Sequence, residues 1–186
     1  LATFKNYKTE TLNKINKQIF NGKIKKEDLN NFIVETDNKG LSGSILSLKY
    51  LDKFSIKFHT CLTNLNKLYG EDASTAFVYS NLVKAGGIEL FAEVLKENGY
   101  LEYESNGSYN INENTIDSVT GKIFQQYKKE KLDLKLFNPA TYILITGGGD
   151  DGEDIPEIKQ KVIREVFNNS VNKSGKFLKI VLGSKV

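Results

Sequence analysis

The sequence predicts an α/β protein: a parallel sheet with crossover helices, a polar insertion and an N-terminal helical arm. Three observations carry this. Ala76-Phe77-Val78-Tyr79-Ser80, Thr141-Tyr142-Ile143-Leu144-Ile145-Thr146 and Phe177-Leu178-Lys179-Ile180-Val181-Leu182 are short, nearly continuous apolar runs, as expected of strands covered on both faces. Between them apolar residues recur at helical steps, with Ile88, Phe91, Val94 and Leu95 after the first run and Ile158, Val162, Val166 and Phe167 after the second. Strands that alternate with helices pair in parallel, because each crossover needs a helix to return the chain to the same end of the sheet.

Composition bounds the answer. The chain has 186 residues, 39% hydrophobic and 26% charged, which suits one globular domain. No run of eighteen apolar residues could span a bilayer, so a soluble protein without a membrane partner is expected. The net charge of +3 is carried almost wholly by lysine, with Arg164 the only arginine, a weak pointer to a polyanionic partner. Cys61 is the only cysteine, which excludes an internal disulfide and favours a reducing compartment. No methionine occurs and the chain opens Leu1-Ala2-Thr3; the expectation is a piece cut from a longer polypeptide.

In chain order, residues 1–40 form the lysine- and asparagine-rich arm, with apolar patches at Leu12, Ile15 and Ile19 and at Leu29, Phe32 and Ile33. The Asn38-Lys39-Gly40 and Leu41-Ser42-Gly43-Ser44 stretch breaks the pattern and separates the arm from a domain over 41–186. Leu48, Leu51, Phe54, Phe58, Leu62, Leu65 and Leu68 then place one apolar stripe on a helix, with Ser55 as a cap for its main part. Asn98-Gly99 closes the helix after the first strand in the way a left-handed residue does. Tyr100-Leu101-Glu102-Tyr103-Glu104 alternates like a strand. Residues 105–136 are polar and turn-rich and read as an insertion, ended by Pro139-Ala140. Pro156 and Glu157 suit the start of the last helix.

Several short patterns invite chemistry. Gly147-Gly148-Gly149-Asp150-Asp151-Gly152 has the G-x-G-x-x-G spelling between a strand and a helix, the place of a dinucleotide fingerprint. Asp150, Asp151, Glu153 and Asp154 would crowd negative charge where a pyrophosphate should sit. That leaves a solvated acidic loop, a metal-assisted phosphate site or a nucleotide-binding loop as readings. No G-x-x-x-x-G-K-[ST] occurs, so the chain has no P-loop of its own. His59 and Cys61 lie two apart on one helix and do not face each other. Lys128-Lys129-Glu130-Lys131 suits a solvated face better than a nucleic-acid patch.

Taken in order, the motif strings resemble a known family. Phe77-Val78-Tyr79-Ser80, Gly86-Gly87-Ile88-Glu89-Leu90-Phe91 and Asn98-Gly99-Tyr100 are similar to motif IV and its following helix in the C-terminal RecA-like lobe of superfamily 2 helicases. Ile145-Thr146-Gly147-Gly148 resembles the next strand and turn. Ile163-Arg164-Glu165-Val166-Phe167-Asn168-Asn169 resembles the helix of the arginine motif, and Val181-Leu182-Gly183-Ser184-Lys185-Val186 resembles the opening of motif V. The resemblance is nearest to the helicase-like ATPases of large nucleocytoplasmic DNA viruses, whose relatives include the ATPase subunit of the poxvirus early transcription factor and helicases of giant amoebal viruses. It covers about residues 41–186 and stops before the rest of motif V and before motif VI, so Arg164 is not that family's arginine finger.

The resemblance implies a RecA-like lobe of an ATP-dependent helicase or translocase that grips one nucleic-acid strand and helps form an interlobe ATP site, acting in viral transcription. Nucleic-acid contacts are expected at Tyr79 and Ser80, at Gly147 and Gly148, at Arg164, and at Gly183, Ser184 and Lys185. ATP and Mg are implied for the parent protein, with neither held by this piece alone, and no catalytic or metal residue is expected within it. The implied partners are an N-terminal motor lobe, DNA or RNA, and a viral transcription apparatus, in host cytoplasm or virion. Strand termination is the alternative for Tyr79 and Gly148, and a surface ion pair explains Arg164 equally. Two other readings stay open: a dinucleotide- or nucleotide-binding enzyme domain using the Gly147–Gly152 loop, and a non-motor scaffold lobe.

Overall fold

The apolar runs become the strands of one parallel sheet. The computed structural model describes residues 10, 12–25, 31–35, 41–84, 86–146 and 155–184. A helix over residues 12–18 (α1) comes first. A two-residue antiparallel ladder then joins Val34–Glu35 (β1) to Leu41–Ser42 (β2). Helices Leu48–Phe54 (α2) and Ile56–Leu65 (α3) lead to strand Ala76–Ser80 (β3), helix Ile88–Glu97 (α4) and strand Leu101–Glu102 (β4). Helix Phe124–Lys129 (α5) lies in the 105–136 segment expected to be an insertion, and strand Thr141–Ile145 (β5) follows it. Helix Glu157–Val162 (α6) runs into a π-helical turn at Ile163–Phe167 before strand Ile180–Ser184 (β6). The sheet order is β3-β6-β5-β4, all parallel. This is the α/β class and crossover topology that the sequence predicts for a RecA-like lobe.

Successive residues of a strand face opposite sides, and each side has its own core. Tyr142, Ile180 and Leu182 join Phe91, Val94 and Leu95 of α4 and Leu51, Leu62 and Leu65 of α2 and α3 in the larger cluster. Phe20, Ile24 and Phe32 belong to that same cluster. Phe20, Phe32 and Tyr50 meet edge to face with ring centroids 5.3–5.7 Å apart, a favoured aromatic geometry. On the other side Ile143, Ile145, Leu178 and Val181 pack against Val162, Ile163, Val166 and Phe167. Each fully buried Leu, Ile or Phe contributes about 1.5–3 kcal/mol, so both clusters hold the sheet.

Local chemistry explains where elements start and stop. The stripe expected to form one helix from Leu48 is split at Ser55, whose backbone is extended and whose hydroxyl accepts from the Phe58 amide at 3.3 Å. Asn98 does more than end α4: its side chain accepts from the Leu48 amide at 2.8 Å and donates to the carbonyls of Leu46 and Val94 at 2.9 and 2.7 Å. That ties the end of α4 to the start of α2. Gly99 is left-handed, with φ 91°, and a Cβ there would lie 2.2 Å from the Asn114 carbonyl oxygen.

Three expectations shift. The strand expected over Tyr100–Glu104 narrows to Leu101–Glu102, because the chain leaves the sheet for the insertion after one further bond, Tyr103 N–H to the Tyr142 carbonyl. The strand expected from Phe177 begins at Ile180, since the amides of Phe177 and Leu178 are claimed by the Asn172 side-chain oxygen at 2.9 and 3.1 Å. β3 was expected to be covered on both faces, yet Phe77 and Tyr79 are 63% and 53% exposed while Ala76 and Val78 turn inward. Among the described residues β3 is an edge strand, and one of its faces lies open.

Among the described residues no helix is long and apolar enough to cross a membrane.

Candidate nucleic-acid interface

The C-terminal ends of parallel strands are where an open α/β sheet forms its ligand crevice. Here the ends of β3 and β6 are in register, with Tyr79 opposite Gly183 and Ser80 opposite Ser184. The Ser80 hydroxyl accepts from the Leu82 amide at 3.1 Å and donates to the Leu82 carbonyl at 3.0 Å, which starts the turn out of the strand. Ser184 is buried beside it.

The turn into α4 is tightly built. Gly86 has φ 95°, and a Cβ on Gly87 would lie 2.0 Å from the Leu82 carbonyl oxygen. The first amides of α4 are already committed, Ile88 to Leu82 at 2.9 Å and Glu89 to Val83 at 3.1 Å. They therefore do not form an open phosphate cradle.

The open face of β3 continues into a groove of about 500 Å3 between the sheet and the π turn. Phe77, Tyr79, Ile163 and Phe167 line it, Gly183 forms part of the sheet floor beside the Phe77 ring, and Gln160 and Asn168 supply amides. Its chemistry is aromatic and apolar, suited to stacking flat rings rather than clamping phosphates. Lys159, on the adjoining helix, donates to the Leu144 carbonyl at 2.6 Å. Arg164 sits on the π turn with its side chain 72% exposed and its guanidinium 3.9 Å from the Glu165 carboxylate.

The structure thus brings Tyr79, Gly183 and Ser184 into one groove, with Ser80 at the strand end; Arg164 sits on the π turn but does not line the groove. Gly147, Gly148, Lys185 and the Gly147–Gly152 loop lie outside the described residues. Sequence reasoning missed Phe77 and Phe167. The signal for Phe77 was its spacing of two from Tyr79, which in a strand places both rings on one face.

Among the described residues no group of three His, Cys, Asp or Glu side chains could hold a metal ion, and the sequence has no P-loop. Other buried polar groups serve the frame. Burial pushes the Cys61 thiol above its ordinary value, so it is a poor thiolate. The Tyr69 hydroxyl donates to that of Tyr100 at 2.7 Å, and burial raises the pKa of both, Tyr100 to about 12.

No protein-family model and no solved structure matches the chain. Two proteins of Acanthamoeba polyphaga mimivirus do, and each is named Putative ATP-dependent RNA helicase. One is 40% identical over 185 residues, 96% of this chain and 16% of its own length. The other is 26% identical over 162 residues, 84% of this chain and 22% of its own length. The chain therefore spans less than a quarter of either relative. Motif order, sheet topology and sequence identity agree: the chain is homologous, over nearly its whole length, to a segment of the mimivirus proteins that bear that name.

Proposed function

We propose that this chain is the second motor lobe of an ATP-dependent nucleic-acid helicase or translocase, contributing to strand grip and to the interlobe ATP site. The observation that carries the reading is the groove at the C-terminal ends of β3 and β6, where Tyr79, Gly183 and Ser184 converge in a chain homologous to helicase-named proteins. Tyr79 and Phe77 offer ring faces for bases, and stacking of this kind tolerates any base sequence. Arg164, and Lys185 by resemblance, supply charge for phosphates. ATP and Mg bind largely through a partner lobe that carries the P-loop. A role in viral transcription, and the kinship with the poxvirus early transcription factor subunit, rest on the motif strings alone.

The test is fluorescence anisotropy of labelled oligo(dT) and oligo(U) of about 20 nucleotides, a length that covers a single-strand site. Tyr79→Ala is expected to weaken binding about tenfold, given the usual worth of one base stack. Arg164→Ala should weaken it and flatten its salt dependence. In the full-length protein, nucleic-acid-stimulated ATP hydrolysis should fall in Arg164→Ala and Lys185→Ala, while the isolated chain hydrolyses no ATP. Unchanged binding in both Tyr79→Ala and Arg164→Ala would discard these contacts. Micromolar binding of NAD or S-adenosylmethionine in calorimetry would replace the reading with a nucleotide-binding enzyme domain.

A further inference from the structure

The π turn has a second flank. On the side away from β3, Val166 and Glu165 border an open pocket of about 560 Å3, walled otherwise by the insertion and by the segment before β6. Its volume is in the range of small-ligand sites. Aromatic side chains dominate its wall: Tyr103 at the end of β4, Tyr109 in the insertion, Phe137, and Phe177, which is 45% exposed. Lys176 lines the same pocket, and its ammonium lies 5.5 Å from the Phe177 ring centroid with no carboxylate partner among the described residues.

This wall is preformed. The Tyr109 hydroxyl donates to the Glu104 carbonyl at 3.2 Å and accepts from the Glu104 amide at 3.3 Å, which fixes the ring's edge. The Phe177 amide donates to the buried Asn172 at 2.9 Å, and the Lys176 carbonyl accepts from the buried Ser118 hydroxyl at 3.1 Å. Little ordering remains to be done when a ring enters, which lowers the entropic cost of binding.

Hydrogen-bonding capacity in the pocket is low. The Asn169 side chain is occupied, accepting from the Val171 amide at 3.1 Å and donating to the Glu165 carbonyl at 3.3 Å. The Asn138 amide group donates to the Leu136 carbonyl at 2.8 Å. A pocket of ring faces with one unpaired cation and few free amides suits a flat ring attached to an anion. Two acids also border the pocket: Glu165 is offset by Arg164 and Lys161, each 3.9 Å from its carboxylate, and Glu104 is exposed to solvent, which screens it.

We propose that the insertion and the π turn hold one unpaired base of a single-stranded nucleic acid in this pocket, stacked on Tyr103, Tyr109 and Phe177, with its phosphate on Lys176. The insertion is then a second base-binding element on the opposite flank of the turn from Tyr79. The proposal rests on the nucleic-acid reading given above, and its test separates the two.

The probe is the same oligo(U), carrying 4-thiouridine for photocrosslinking, with attachment sites mapped by mass spectrometry and affinity followed by anisotropy. Crosslinks are expected in the peptides holding Tyr103, Tyr109 or Phe177. Phe177→Leu, which keeps an apolar side chain, and Tyr109→Ala should each weaken binding about tenfold, the size of one lost base stack. Lys176→Gln should lower the salt slope by about one counterion. Binding that falls in Tyr79→Ala but is unchanged in Phe177→Leu and Tyr109→Ala, with crosslinks only near β3, overturns the pocket and leaves the groove. Absence of oligonucleotide binding even at low salt overturns both.

Discussion

The Phe77 ring lies directly over Gly183 of the neighbouring strand: a Cβ built on Gly183 would come 2.8 Å from Phe77 Cζ. The absence of a side chain at Gly183 is what lets the tip of an aromatic ring approach the sheet this closely at the groove. Gly183→Ala must push that ring outward. Because Phe77 is exposed, the displacement costs little stability, about 1 kcal/mol or less by comparison with overpacking of a closed core. Oligonucleotide binding should fall several-fold in the same variant. Thermal melts and anisotropy check the pair of outcomes, and a large loss of stability with intact binding would contradict this account.

Asp117 holds the insertion to the sheet. Its buried carboxylate accepts from the Thr120 amide at 2.7 Å, the Thr120 hydroxyl at 2.8 Å, the Val119 amide at 3.1 Å and, across the insertion, the Asn138 amide at 2.9 Å. Asp117→Ala removes the charged acceptor that Val119, Thr120 and Asn138 share, a loss of about 1.5–3 kcal/mol. Urea denaturation measures it. A loss below about 1 kcal/mol would mean that water replaces the carboxylate.

These cases also mark what could be read from the sequence. β3, β5 and α4 were legible because apolar runs and helical steps record burial directly, and the Ser55 cap because its hydroxyl acts three residues away. The start of β6 was not, since Asn172 takes the amides of Phe177 and Leu178 through a side chain that no periodicity reveals. The bonds of Asp117 to the insertion were hidden likewise, because its acceptor role depends on Asn138, distant in sequence. At the site, Tyr79, Gly183 and Ser184 came from motif order, whereas Phe77 looked like core. An aromatic residue in a strand has the same letter whether its face is covered or open.

Tyr142 makes a different test. Its hydroxyl is buried in the larger core and has no hydrogen-bond partner among the described residues. Burial pushes its pKa well up, and Glu102 and Glu93 add to the rise. A desolvated hydroxyl without a bond costs about 1–3 kcal/mol. Tyr142→Phe should therefore be as stable as the wild type or more stable by about 1 kcal/mol. A clear destabilisation in chemical denaturation would reveal an ordered water bonded to that hydroxyl.

Lys179 gives the fold a pH dependence of definite sign. It is 1% exposed, its ammonium donates to the Ser174 carbonyl at 3.0 Å, and it lies 4.5 Å from the Tyr69 ring centroid. Burial lowers its pKa from 10.5 to about 8, against the opposing pull of Asp117. Between those values the unfolded chain holds a proton that the native state has released. Stability therefore rises with pH through that window. Below it both states are protonated and the gain is absent; above it the gain is complete. Cys61, raised by burial, works in the opposite direction at alkaline pH, so the comparison must be with a variant that keeps it. The stability of the wild type minus that of Lys179→Met, from urea midpoints, should climb as pH passes from about 8 towards 10.5. A flat difference would mean that the ammonium stays protonated in the fold, held by Ser174, Tyr69 and Asp117 more strongly than burial opposes it.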